Sequence, residues 1–185
     1  MSTAPLEQAI ATTRQVLAGV TPEHLSQPTP CAQWSVSDLI DHIVGAQDFF
    51  ASGASGSAPS SDGSGAASGD YLAAFDAGTQ RCVAAFQADG VMEKMLTLPF
   101  GPMPGVAFAG LAATDTFTHG WDLAKATGQD TDLAPDLAAQ LLVDAKQAIQ
   151  PAFRSEDGAV FGPEQTAPAG ASNADQLAAF LGRTV

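Results

Sequence analysis

The sequence predicts an all-α fold, mostly a bundle of amphipathic helices. Apolar residues recur at spacings of three and four over several long segments. Prolines and glycines gather between those segments, and strand-like alternation is confined to one short stretch near residues 92–104.

Residues 5–18 carry Leu6, Ile10, Thr13 and Leu17 at helical spacing, and Gly19 follows as a stop. The stretch from Thr21 to Trp34 holds Pro22, Pro28 and Pro30, which suit an extended connection packed through Leu25 and Trp34. Ser35 with Asp38 three residues on resembles a capping box, so a second helix starts there and runs to about Phe50. Its apolar side is Val36, Leu39, Ile40, Ile43 and Phe50, with His42 at the margin. Residues 51–70 are Gly, Ser, Ala and Asp with one proline, too little apolar surface to order themselves, and predict a flexible loop. Such a loop is long enough to carry the chain from one end of the bundle to the other.

Tyr71 to about Ala88 repeats the helical pattern through Leu72, Phe75, Thr79, Cys82 and Phe86, which makes Cys82 a core residue. Residues 92–104 run into the turn-rich Phe100-Gly-Pro-Met-Pro-Gly105 and predict a short extended segment or small hairpin. A fourth helix is expected from Val106 to Gly128 and a fifth from Pro135 to Gln150. A loop containing Gly158, Gly162, Pro163, Pro168 and Gly170 leads to a last short helix, Asn173 to Leu181.

The 185 residues fit one domain with a continuous core. Twenty acidic residues against 7 basic ones give a net charge of −13, which repels phosphate backbones and anionic lipid, so neither nucleic acid nor membrane is an expected partner. The two cysteines, Cys31 and Cys82, lack the spacing of a redox or zinc motif. With no signal-like N-terminus and no stretch of ~20 apolar residues, a cytoplasmic location is expected.

The chemistry concentrates on the fourth helix. With Asp115 taken as zero, His119 falls at about +40° and Asp122 at about −20°, on the same arc as Phe108 and Ala112. Two acids and an imidazole therefore interrupt an apolar stripe, and a buried carboxylate needs a compensating partner. Asp115 and His119, four residues apart, can converge on one ion. Of three histidines, His42 is the one on another amphipathic helix and completes a His, Asp, His set. Three protein ligands leave one position for water or substrate, the pattern of a catalytic zinc site, although nickel or iron also fit such donors. Asp-x-x-x-His is a common spacing, and a hydrogen-bonded polar cluster without metal satisfies it equally. Asp122 either replaces Asp115 as a ligand or orients an imidazole. His24 reads as a surface or packing residue, and nothing in the sequence pairs Cys31 with a base.

Thr29-Pro-Cys31, Trp34-Ser-Val with Asp38-Leu and His42, Asp115-x-x-x-His119-Gly-Trp-Asp-Leu-Ala124, Phe161-Gly-Pro163 and Leu177-Ala-Ala-Phe-Leu-Gly-Arg183 together resemble the DinB-like metal-binding superfamily. The resemblance is strongest to the branch related to the N-terminal domain of mycothiol-dependent maleylpyruvate isomerase, and it runs along nearly the whole chain. It implies a four-helix bundle with a long crossover and a divalent metal, zinc first, on His42, Asp115 and His119. It also implies chemistry on a low-molecular-weight thiol such as mycothiol, as in thiol S-transferases and the isomerase. The isomerase carries glutamate where this chain has Asp115. The expectation is a metal-dependent enzyme whose activated thiolate attacks a small electrophile, with Asp122 as a catalytic residue orienting a ligand. The alternative is a non-catalytic metal- or small-molecule-binding bundle. Phe117 and Trp121 are candidates for burial in the core or for the face of a homodimer.

Overall fold

The computed structural model describes residues 2–155 and 161–185. The long helices are α1 (Ala4–Ala18), α2 (Val36–Ser55), α3 (Tyr71–Gln87) and α4 (Gly105–Ala126), followed by α5 (Pro135–Ala148) and α6 (Asn173–Phe180). Strands β1 (Met95–Leu98) and β2 (Gly101–Pro104) form an antiparallel hairpin between α3 and α4. Among the described residues, no helix is long and apolar enough to cross a membrane.

Helix α2 packs along α3 and α1 along α4, and α2 against α4 joins the two pairs. The stripes read from the sequence face inward because each helix must bury its apolar side against a neighbour. Phe108 and Phe86 are buried against each other, with Phe50 also on Phe108, and Val36, Leu39, Ile40, Phe75 and Leu123 form the other apolar cluster. Cys82, Phe117 and Trp121 are buried in the chain's own core, so those two aromatics are not a dimer face. Within the hairpin Leu96 and Leu98 point inward while Met95 is exposed.

The largest departures from the sequence reading lie at the end of α2 and in the segment that follows it. Helix α2 continues five residues past Phe50 and stops at Gly56, whose φ of 74° is the left-handed turn that glycine adopts without strain. The segment after it, expected to be a flexible loop, is tied down. Asp41 accepts the N–H groups of Gly65 and Ala67, both at 2.8 Å, and Asp48 accepts the Ser60 hydroxyl at 2.9 Å while paired to Arg81. A Cβ on Gly45 would collide with the Asp62 carbonyl, so the loop lies directly on the helix backbone. Composition missed this because the loop contributes mainly its backbone and the acids that hold it lie on α2. Gly158, placed in the last connecting loop, lies outside the described residues.

Candidate metal centre

The capping box forms: the Ser35 N–H donates to Asp38 at 2.9 Å, and the Asp38 N–H donates to the Ser35 hydroxyl at 3.3 Å. This sets the start of α2, and with it the direction in which His42 points, six residues on. The preceding loop closes on itself through Thr29, whose hydroxyl donates to the Trp34 carbonyl at 3.0 Å and accepts the Cys31 N–H at 3.1 Å. Trp34 thereby lies over both imidazoles, with ring centroids 4.6 Å from His42 and 5.9 Å from His119.

His42, on α2, meets Asp115 and His119, on α4. One donor atom from each lies within 4.8 Å of the other two. His119 Nε2 is 3.6 Å from Asp115 Oδ1, and the two imidazole centroids are 4.5 Å apart, edge to face. The buried Nε2 of His42 has no hydrogen-bond partner among the described residues. A buried polar nitrogen left without a partner costs about 1–3 kcal/mol, and a cation between these donors removes that cost. His24 lies elsewhere and accepts the Thr21 N–H at 3.1 Å through Nδ1, a surface role.

Asp122 stands behind His119. It is fully buried and 3.0 Å from His119 Nδ1, so this nitrogen carries the proton and Nε2 is turned toward Asp115 and His42. This contact has the geometry of the orienting alternative weighed from sequence. The residue does not line the cleft.

Charge is balanced within this cluster. Burial works against a charged His119, but the Asp115 charge and the hydrogen bond to Asp122 outweigh it and push the imidazole up to about 10. Burial, joined by repulsion from His119, pushes His42 down from the ordinary imidazole value. Burial also opposes ionised Asp122, yet the His119 hydrogen bond and the Arg183 charge bring its carboxyl down to about 2. The pocket thus favours a positive charge at the position where His119 meets the carboxylates.

Two residues were not paired with this site by sequence reasoning. Cys31 Sγ donates to Asp122 Oδ2 at 3.3 Å and lies 3.9 Å from His119 Nδ1, forming a second donor group with those residues on the opposite edge of the imidazole. Arg183 reaches Asp122 from the C-terminal end of the chain, with Nη2 2.9 Å from Oδ2 and Nε 3.2 Å from Oδ1. The detectable signal was Gly182, a glycine directly after a short helix, which marks a turn that aims the next side chain. What that side chain would meet is not written in local sequence.

The donors lie in a cleft of about 1520 Å³ walled by Trp34, Phe49, Phe50, Leu111 and Phe161, with Cys31, Thr118 and Arg183 among the polar groups. Pro59–Asp62 of the tied-down loop form part of its lining. Thr118 is 3% exposed and its hydroxyl has no partner among the described residues.

Fold and site together define a helical bundle with a candidate His, Asp, His centre between its second and fourth helices. The chain belongs to the family of the mycothiol maleylpyruvate isomerase N-terminal domain, whose family model matches residues 6–124. That match includes Cys31, His42, Asp115, His119 and Asp122 and ends before Arg183. The chain is 43% identical over 171 residues to the uncharacterized protein Rv0738 of Mycobacterium tuberculosis (strain ATCC 25618 / H37Rv), covering 92% of this chain and 91% of that one. The same figures hold for the uncharacterized protein MT0763 of Mycobacterium tuberculosis (strain CDC 1551 / Oshkosh). No solved structure matches the chain.

Proposed function

We propose that the chain is a metal-dependent enzyme acting with a low-molecular-weight thiol of the mycothiol type, an S-transferase or isomerase that directs the thiolate onto a small electrophile. The observation that carries this reading is the convergence of His42, Asp115 and His119 in a cleft, with the His42 Nε2 lacking a hydrogen-bond partner among the described residues. Membership in a mycothiol-related family supports the choice of thiol.

His42, Asp115 and His119 would hold the ion, and two imidazoles with one carboxylate suit zinc, nickel or iron better than magnesium. When bound, a divalent ion supplies the charge that keeps a thiol of ordinary pKa ~8.5 as its thiolate at neutral pH. The remaining work belongs to the chain. Asp122 accepts a hydrogen bond from the His119 Nδ1–H and holds the ring so that Nε2 is turned away from it. Trp34 restricts both imidazoles by packing on them. Phe49, Phe50, Leu111 and Phe161 wall the cleft with apolar surface that limits water around the reacting atoms. The volume exceeds the roughly 300–1,000 Å³ typical of a single-ligand pocket, leaving room for a thiol and an electrophile side by side.

The test is to incubate zinc-loaded protein with mycothiol, bacillithiol or glutathione and a bimane electrophile, following the thioether by fluorescence. Turnover with at least one thiol, abolished in His42→Ala and His119→Ala, is expected. Stoichiometric metal without turnover of any thiol would make the protein a binder and end the enzymatic reading.

A further inference from the structure

We infer that Arg183 is a positioning residue for the candidate metal centre: its guanidinium fixes the Asp122 carboxylate, and the carboxylate fixes the donor direction of His119. This rests on the metal reading above and adds a part of the chain that the family match does not cover.

The end of α6 delivers the side chain. The Gly182 N–H donates to the Ala179 carbonyl and the Arg183 N–H to the Ala178 carbonyl, each at 3.0 Å, the paired bonds of a Schellman cap. Gly182 has φ 96°, and a Cβ there would press on the Gly162 backbone at 2.8 Å. Arg154 fastens the facing strand of chain by donating to the Gly162 carbonyl at 2.9 Å and the Phe180 carbonyl at 2.8 Å. The turn is therefore held from both sides, and Arg183 leaves it toward α4.

There the guanidinium uses two donors in one plane. Nε and Nη2 take the two oxygens of Asp122, while Nη1 donates to the Leu181 carbonyl at 3.1 Å. The side chains of Arg183 and Asp122 are 14% and 0% exposed, so the carboxylate is shielded from water and the guanidinium nearly so. A forked pair sets the plane of the carboxylate as well as its position. Oδ2 is the oxygen that receives the His119 Nδ1–H, so the same plane sets the direction of that bond. Cys31 donates to the same oxygen and, lacking a planar fork, cannot set that plane. Partners of metal-bound histidine of this kind typically account for about 10–100-fold in metal affinity.

The experiment measures zinc affinity by competition with a chromophoric chelator and the visible spectrum of the cobalt(II)-substituted protein. It compares wild type with Arg183→Ala, Arg183→Lys, Asp122→Asn and the Arg183→Ala/Asp122→Asn double variant. Arg183→Ala, one contact further from the imidazole than Asp122, is expected to weaken zinc binding by about tenfold, the lower end of that range, and to alter the cobalt spectrum. Millimolar guanidinium, far below the molar range that unfolds proteins, is expected to restore both readouts. Arg183→Lys should recover less, because one ammonium cannot hold both oxygens in plane. In the Asp122→Asn background, Arg183→Ala should change affinity little further. Should Arg183→Ala not fold, Arg183→Lys and its response to guanidinium decide the question. Wild-type affinity and spectrum in Arg183→Ala, or an undiminished loss in the Asp122→Asn background, overturns the inference alone. A wild-type protein that binds no metal overturns the functional reading and this inference with it.

Discussion

Metal binding near neutral pH should release one proton from the protein, and the affinity should rise about tenfold per pH unit. The reason lies in His119. In the metal-free fold Asp115 and Asp122 hold its imidazole up to about 10, well above the ordinary 6.5, so it is protonated throughout the neutral range. An ion on Nε2 must displace that proton, because a ligating imidazole is neutral. His42, held below 6.5 by burial and by His119, is already neutral and adds no second proton above that pH. One displaced proton means about a 100-fold gain in affinity between pH 6.5 and 8.5, since each unit is worth ~1.36 kcal/mol. Calorimetric titration of zinc in two buffers of different ionisation enthalpy counts the proton directly. No proton released, with affinity flat across that range, would refute the charge assignment. The same proton has a stability consequence of defined sign. Between about 6.5 and about 10 the folded chain holds a proton the unfolded chain has lost, so the metal-free fold should weaken as pH rises through that window.

Further consequences can be measured separately. His42→Ala, Asp115→Ala and His119→Ala should each purify without stoichiometric zinc while keeping wild-type helicity by circular dichroism; full metal content after loss of both histidines would remove the site. Phe108→Ala, at a fully buried ring packed on Phe50 and Phe86, should lower stability by about 3–5 kcal/mol in urea unfolding. Gly45→Ala replaces a helical glycine by the best helix former, yet should destabilise by about 1–3 kcal/mol because the added methyl meets the Asp62 carbonyl. Arg81→Ala should lower stability by about 1–3 kcal/mol, since among the described residues Asp48, 4% exposed, then keeps only the Ser60 hydroxyl as a side-chain partner.

The amino-acid sequence determined by itself whatever depends on neighbours along a helix. Periodicity placed the helices to within a few residues, Ser35 and Asp38 marked the start of α2, and the four-residue spacing put Asp115 beside His119. His42 was reachable too, because a scarce residue type at the edge of an apolar arc has few partners to choose from. Tertiary structure decided what depends on chain segments far apart in sequence. Arg183 meets Asp122 across 61 positions, Cys31 reaches the same carboxylate across 91, and Asp41 orders a loop 24 residues downstream through backbone N–H groups that every residue type except proline carries. Local pattern reports which face of a helix is buried; which charge lies across from that face is set by how the helices pack.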